Sequence, residues 1–315
     1  MQSPAPVNNI LLQRATALRQ IRDYFKHQSV LEVDTPLLAD YSVTDPYMSA
    51  MQVINPRAQS QGYLQTSPEY AMKKLLCAGS GDIFQLGKVF RADEDSPSHS
   101  NEFTMLEWYR CSFSLEALMS EVLHIIQLVV GPLAHQILSY RQAFIQYLAI
   151  DPFNLSLAEL EVKANRLLGD LPQNMLFDNY LSLLFATQIE PLFPADKVTL
   201  VTDFPASQAA LARKRYTRYG EVACRFEAYS GGLELANGFY ELSDPNEQLL
   251  RFEQENQIRQ QLGYLPMTID FELIKALEQG LPDCCGVALG FDRLLMLKSG
   301  AKDIKQVLPM SFVKR

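Results

Sequence analysis

An α+β fold, an antiparallel sheet flanked by helices with a helical insertion, is what the sequence predicts, on three observations. In residues 87–110 two alternating apolar runs flank a Pro/Ser/Asp-rich segment, which reads as strand, polar loop, strand. Residues 114–194 carry apolar spacing of the helical period. Strands then return at 198–204 and 221–229, and residues 286–296 read as strand into helix. With 315 residues, 48% hydrophobic and 20% charged, the chain has the composition and length of a globular protein with one large domain over 1–315 carrying an insertion at about 114–194.

Residues 9–25 read as a helix with Leu11, Leu18, Ile21 and Phe25 on one stripe, followed by a strand at 30–35 that Pro36 stops. A short strand at 63–66 follows Gly62. Ser67 as N-cap, Pro68 at the first helical position and Glu69 then open a helix ending near Gly79. Glu69 in that first turn complements the helix dipole. If 88–93 is extended, Val89, Arg91 and Asp93 share a face, as do Phe103, Met105, Glu107 and Tyr109 in the second run. A guanidinium, carboxylates, a ring and a phenol thus converge on one surface.

Within the insertion, one amphipathic helix from Leu115 ends at Gly131 and Pro132, a capping box at Ser156 and Glu159 opens a second, and a third spans about 174–189. His124 and His135 read as packing or surface residues. Ser230, Gly231 and Gly232 form a hairpin turn into Leu233-Glu234-Leu235-Ala236-Asn237.

The formal charge of −8 argues against a partner gripped mainly through phosphates. Met1 to Asn9 is polar and Pro-rich, unlike a signal peptide, and no apolar run approaches the ~20 residues of a membrane span, so no membrane partner and a cytoplasmic location are expected. Five cysteines without a CxxC fit reduced thiols, and adjacent Cys284 and Cys285 suit neither a relaxed disulfide nor a zinc knuckle.

FRADED at 90–95, a loop with His99, and NEFTMLEWY at 101–109 together resemble motif 2 of the class II aminoacyl-tRNA synthetases, specifically the lysyl branch. LEVDTPLL at 31–38 is similar to motif 1, the family's dimer interface, and GVALGFDRLLM at 286–296 to motif 3. A second strong match to lysyl enzymes is LELANGFYEL at 233–242. The resemblance implies a class II synthetase-like catalytic domain that is a homodimer and uses ATP with Mg²⁺. It implies that Arg91 holds the amino-acid carboxylate and the α-phosphate. A planar, permanently charged fork suits that task. Asp93, His99, Ser100 and Phe103 would hold ATP, together with Glu234, Leu235, Gly290 and Arg293; Arg293 would either stack on adenine or pair with phosphate. Arg91 and Arg293 are the implied catalytic groups. Glu227 and Glu234 would hold Mg²⁺, which suits hard carboxylate oxygens. Ser67, Glu69, Glu107, Tyr109, Asn237, Glu241 and Ala288 would line the amino-acid site, with Glu69 and Glu241 as counter-charges to its amines.

Glu234 lies on the opposite face of an ideal strand from Asn237 and Glu241, so a bulge or twist is expected between 234 and 237. Three departures from the family pattern stand out. Asp93 replaces the usual Glu of motif 2, the loop reads His-Ser-Asn where lysyl enzymes tend to have His-Asn-Pro, and Ala288 replaces the middle glycine of motif 3. Lysyl-tRNA synthetases also carry an anticodon-binding domain ahead of motif 1; with motif 1 beginning almost at the first residue, that domain is expected to be absent here. Within the lysyl branch the chain therefore resembles the stand-alone ligases that attach β-lysine to a lysine of elongation factor P. A truncated lysyl synthetase that charges tRNA, and a non-catalytic regulatory paralogue, are the alternatives; the acidic charge makes tRNA the weaker partner.

Overall fold

The computed structural model describes residues 7–57, 60–92, 95–172 and 175–310, with the side chains of residues 7 and 8 excepted. Asp93, assigned above to ATP, lies outside the described residues. The chain forms two compact units, one from residues 1–132 with 241–315, the other from 133–240.

The first unit begins with α1 (Val7–His27), β1 (Leu31–Glu32), β2 (Leu38–Ala39), β3 (Gln52–Asn55) and β4 (Ser60–Leu64). It continues with α2 (Glu69–Cys77), β5 (Ile83–Phe90), β6 (Glu102–Cys111) and α3 (Leu115–Val130). The second unit holds β7 (Ala134–Ser139), α4 (Tyr140–Leu148), α5 (Leu157–Leu168), α6 (Phe177–Leu184), β8 (Lys197–Pro205), β9 (Lys214–Thr217), β10 (Gly220–Ser230) and β11 (Leu233–Tyr240). The chain then completes the first unit with α7 (Pro245–Gln261), α8 (Phe271–Gln279), β12 (Cys284–Gly290) and α9 (Phe291–Ser299).

In the first unit β5, β6 and β12 run antiparallel in that order, and β1 adds in parallel at the edge beside β5. A separate small sheet pairs β2 and β3 with β4. One face of the main sheet is closed by aromatic packing, in which Phe25 of α1 stacks on Phe84 at 4.5 Å and meets Trp108 edge-on at 5.5 Å. The stripe on α1 differs from the expected one, because Leu11 is exposed and the buried residues are Arg14, Ala17, Ile21 and Phe25. Arg14 is buried because its guanidinium pairs with Asp292 at the start of α9, and Asp292 also accepts the Thr104 N–H at 2.6 Å. That carboxylate therefore ties α1, β6 and α9 together.

In the second unit β8 and β11 flank β10 antiparallel, and β7 joins β8 in parallel. β7 corrects the reading of 114–194 as wholly helical: between the Gly131 helix stop and the Ser139 capping box, six residues extend and pair with β8. The core of this unit is aromatic, built from Tyr140, Phe144, Phe185, Phe193, Phe204 and Tyr229. The capping box at Ser156 and Glu159 opens α5 as expected.

Candidate active site

The site is built on one face of β5, β6 and β12. Alternation puts Phe103, Met105, Glu107 and Tyr109 on a common face of β6, and the register sets Gly286 opposite Tyr109, Ala288 opposite Glu107 and Gly290 opposite Met105. Tyr109 OH donates to Glu107 Oε1 at 2.8 Å, and both side chains are buried. Glu107 Oε2, also buried, has no hydrogen-bond partner among the described residues. Burial, with the charge of Glu69 next, pushes the Glu107 carboxyl well above the usual carboxylate range.

Beside this floor lies a group that sequence reasoning missed. Lys73 of α2 is 1% exposed, and its Nζ stands 2.8 Å from Glu69 Oε1 and 2.7 Å from Glu241 Oε2. Burial works against its charge, but the carboxylates of Glu241 and Glu69 outweigh burial and lift its pKa above the ordinary lysine value. Beside Glu107, the two carboxylates of Glu69 and Glu241 thus share a single ammonium. α2 is anchored for this role by Lys74, which reaches Asp270 at 2.7 Å and Tyr41 OH at 2.8 Å on its other side. The helix starts one residue later than expected, at Glu69, and Ser67 Oγ accepts the Glu69 N–H at 3.2 Å. Ser67 itself lines a crevice with Tyr41, Ser42, Thr66 and Tyr70.

Gly286 explains itself by close approach. A Cβ there would overlap the Tyr109 ring and stand 2.5 Å from Glu241 Oε1, so the glycine makes room for the pocket's own side chains. Gly286→Ala is expected to displace the Tyr109 ring and the Glu241 carboxylate, at about 1–3 kcal/mol of overpacking. A thermal melt reads the loss, and an unshifted melting temperature would show that the pocket yields freely.

The two arginines sit at the β5–β6 loop. Arg91, just past β5, donates its main-chain N–H to Asn101 O at 2.9 Å and lays its guanidinium over the Phe103 ring, 5.3 Å from the centroid. Arg293 donates from Nε to Ser98 O at 3.2 Å and from Nη2 to His99 Nε2 at 2.7 Å. Because a guanidinium only donates, His99 Nε2 accepts, which puts the imidazole proton on Nδ1, 2.7 Å from Ser96 Oγ. Neutral His99 thus joins the motif 2 loop to α9. Ser100 follows it in that loop, and Gly290 packs against the Arg293 stem.

The remaining predicted residues lie in the second unit. The register between β10 and β11 slips at Ala228 and Tyr229, so that Ala228 faces Ala236, Tyr229 faces Glu234, and Leu235 is the extra residue of a bulge. This is the irregularity expected between 234 and 237, and it brings Glu234 to the face that carries Asn237 and Glu227. Asn237 lies opposite Glu227 and accepts from Arg225 Nε at 3.2 Å. Arg225, unforeseen from sequence, pairs with Glu227, whose second oxygen accepts from Tyr229 OH. Burial raises the Glu227 pKa against the opposing pull of Arg225. Leu235 itself is buried. Two carboxylates fit a Mg²⁺ ion, which takes one or two protein carboxylates alongside phosphate and water. Among the described residues no group of three or more His, Cys, Asp or Glu forms a fuller metal cage.

A strand-loop-strand bearing an arginine stacked on an aromatic ring, and a glycine strand leading into an Asp-Arg helix start, define a class of protein. Residues 3–314 match the family model described as tRNA synthetases class II (D, K and N), and the chain belongs to that family. Among curated proteins it is similar to the elongation factor P--(R)-beta-lysine ligase of Vibrio parahaemolyticus, with 46% identity over 308 residues, covering 96% of this chain and 95% of that one. The ligase of the same name from Yersinia enterocolitica is 46% identical over 316 residues, covering 98% of this chain and 96% of that one. That from Photorhabdus laumondii is 45% identical over 321 residues, covering 99% and 98%. Among the described residues no helix is long and apolar enough to cross a membrane, and none of the five cysteines is in a disulfide.

Proposed function

We propose that this protein activates β-lysine with ATP as an aminoacyl-adenylate and transfers the acyl group to a lysine side chain of elongation factor P. The observation that carries the reading is the buried cage of Glu69, Lys73 and Glu241 beside Glu107 and Tyr109. The formal charges of Glu69, Lys73 and Glu241 sum to one negative, which suits a substrate ammonium. The relatives' names support the acceptor and the substrate.

Activation needs no general base, since the substrate carboxylate is already ionised near pH 7. Its oxygen attacks the α-phosphorus, the bond to the β-phosphate breaks, and pyrophosphate leaves. Arg91 aligns the attacking carboxylate with the phosphate and offsets the charge that grows on phosphorus. Arg293, held by His99 and Ser98, supplies the second cation. Glu234 and Glu227 would hold the Mg²⁺ that travels with the triphosphate, whose chemistry is to neutralise phosphate charge. In transfer, the acceptor amine attacks the acyl carbon and AMP leaves. An acceptor lysine with pKa near 10.4 is neutral only about once in a few thousand molecules at pH 7, so an oxygen base must take its proton.

Incubation with ATP and lysine isomers, with elongation factor P and bulk tRNA as competing acceptors, followed by intact mass, tests the reading. Label on the protein is the expected result, and label on tRNA alone would overturn it. The apolar residues left exposed on α1 and just after it, Leu11, Leu12, Leu31, Leu37 and Leu38, support a homodimer. A monomeric mass in light scattering would exclude that state.

Ala288 sits opposite Glu107 on the site face, so its methyl takes space beside the substrate. Ala288→Gly is expected to raise activity toward α-lysine relative to β-lysine by about 5- to 150-fold, the range that a misplaced methyl commands. An unchanged ratio of specificity constants would move discrimination to Ser67 and Glu69.

A further inference from the structure

β9 and the turn that leads from it into β10 are not used by the chemistry above, yet their composition is unlike the rest of the chain. Arg213, Lys214, Arg215 and Arg218 fall within six residues that contain no acid, in a protein of net charge −8. β9 pairs with β10, from Lys214 opposite Ala223 to Thr217 opposite Gly220, and with no other strand among the described residues. Lys214, Arg215, Arg218 and Tyr219 are exposed, and Tyr216 is 83% exposed.

Aromatic rings hold two of the four cations, Arg213 and Arg218, and with them Arg141 of α4. The Arg218 guanidinium lies 4.6 Å from the Tyr219 ring centroid, Arg141 lies 3.8 Å from the same ring, and Arg213 stands 4.6 Å from the Tyr240 ring. A guanidinium laid on a ring keeps its N–H edge for planar, two-pronged contacts with carboxylates. Within the same unit Arg215 of β9 holds Asp203 at 2.7 Å, and Arg141 of α4 binds Asp151 through Nε and Nη2.

The geometry points to this hairpin as the docking element for the acceptor protein, which it grips through an acidic stretch of that protein's surface. The inference rests on the proposed function, since it presumes a protein acceptor. Charge complementarity selects the partner. A short basic patch on an otherwise acidic chain suits a partner with a few discrete carboxylates, whereas a nucleic acid, charged along its whole length, would meet repulsion from the rest of the surface. Charged edge strands also guard against aggregation, but that task does not call for exposed tyrosines interleaved with arginines, the pair of residue types enriched at protein interfaces.

The test uses the full chain carrying Lys214→Glu with Arg218→Glu, and a milder pair, Lys214→Gln with Arg218→Gln. Two quantities are read: ATP–pyrophosphate exchange with β-lysine, and the Kd for elongation factor P by titration calorimetry. Exchange is expected to stay within about twofold while the Kd rises at least about tenfold in the Glu pair, with the Gln pair between. The wild-type Kd is expected to weaken with added salt more steeply than that of the variant. An unchanged Kd would overturn the proposal, and so would variants that lose binding to bulk tRNA while keeping the elongation factor P affinity. Lack of exchange in the unaltered protein would strike the proposed function and leave the Kd comparison to judge the hairpin.

Discussion

Lys73→Met is expected to raise the KM for the amino-acid substrate by about 10- to 100-fold and to cost the fold about 3–5 kcal/mol, the range found when one partner of a buried ion pair is removed. The ammonium of Lys73 lies within 2.8 Å of the carboxylates of Glu69 and Glu241, and Glu241 is itself 1% exposed. Without that cation two like charges face each other in a pocket that already holds Glu107, and at least one of them must take a proton. A neutral acid then meets the substrate ammonium where a carboxylate stood.

The pH dependence separates this from a general loss of packing. In the wild type the Lys73 pKa is raised, so its contribution to stability is complete below the ordinary lysine value and is lost only as pH climbs through the folded value. It is therefore flat through neutrality. In Lys73→Met the shifted groups are acids, raised in the folded state. The folded protein then binds more protons than the unfolded chain, and stability falls as pH rises from the carboxylate range through the raised value. The variant's deficit in melting temperature is thus expected to be smaller near pH 5 than near pH 8, while its KM improves as pH rises and the acid ionises. Tyr109 and Cys284, which also face the cluster, are both raised by burial and stay neutral across that interval. A folded Lys73→Met protein with wild-type KM at every pH would remove Lys73 from the amine pocket.

Why Lys73 escaped the sequence is instructive. Glu69 and Lys73 stand four apart on a helix, a spacing that reads as a surface ion pair. Only the fold reveals that Glu241, 172 residues ahead of Glu69 in the chain, closes over the same ammonium. Arg225 was hidden likewise, since an arginine on an alternating strand looks solvated until a buried glutamate is placed beside it. The bulge at Leu235 was legible because strand alternation made the assigned residues inconsistent without it. The strand-turn-strand of motif 2, the Gly231-Gly232 turn and the strand-to-helix step of motif 3 were legible for a local reason: turn residues and period-2 patterning carry their own signal. β7 was not, because its few residues between two helices show a pattern too short to outweigh the helical spacing on either side. The expected Leu11 stripe failed for a tertiary reason, as the buried salt bridge with Asp292 turns Arg14 inward.

Arg91→Ala is expected to lower ATP–pyrophosphate exchange by about 10²- to 10³-fold or more, with little change in stability. The two halves of that expectation have different sources. For the fold, Arg91 is half-buried, lies beyond the end of β5, and contributes a stacked guanidinium on Phe103 worth roughly 0.5–1 kcal/mol. The Asn101 contacts that shape the loop involve the main chain of Arg91, which alanine retains. For the chemistry, on the proposed function, charge developing on phosphorus would lose the planar fork that Arg91 lays over Phe103. Arg91→Lys refines the point, since it restores the charge without the fork and should recover only part of the rate if two-pronged alignment matters. Full recovery by lysine would reduce Arg91 to a point charge, and near-normal exchange in a folded Arg91→Ala protein would place the adenylation site elsewhere.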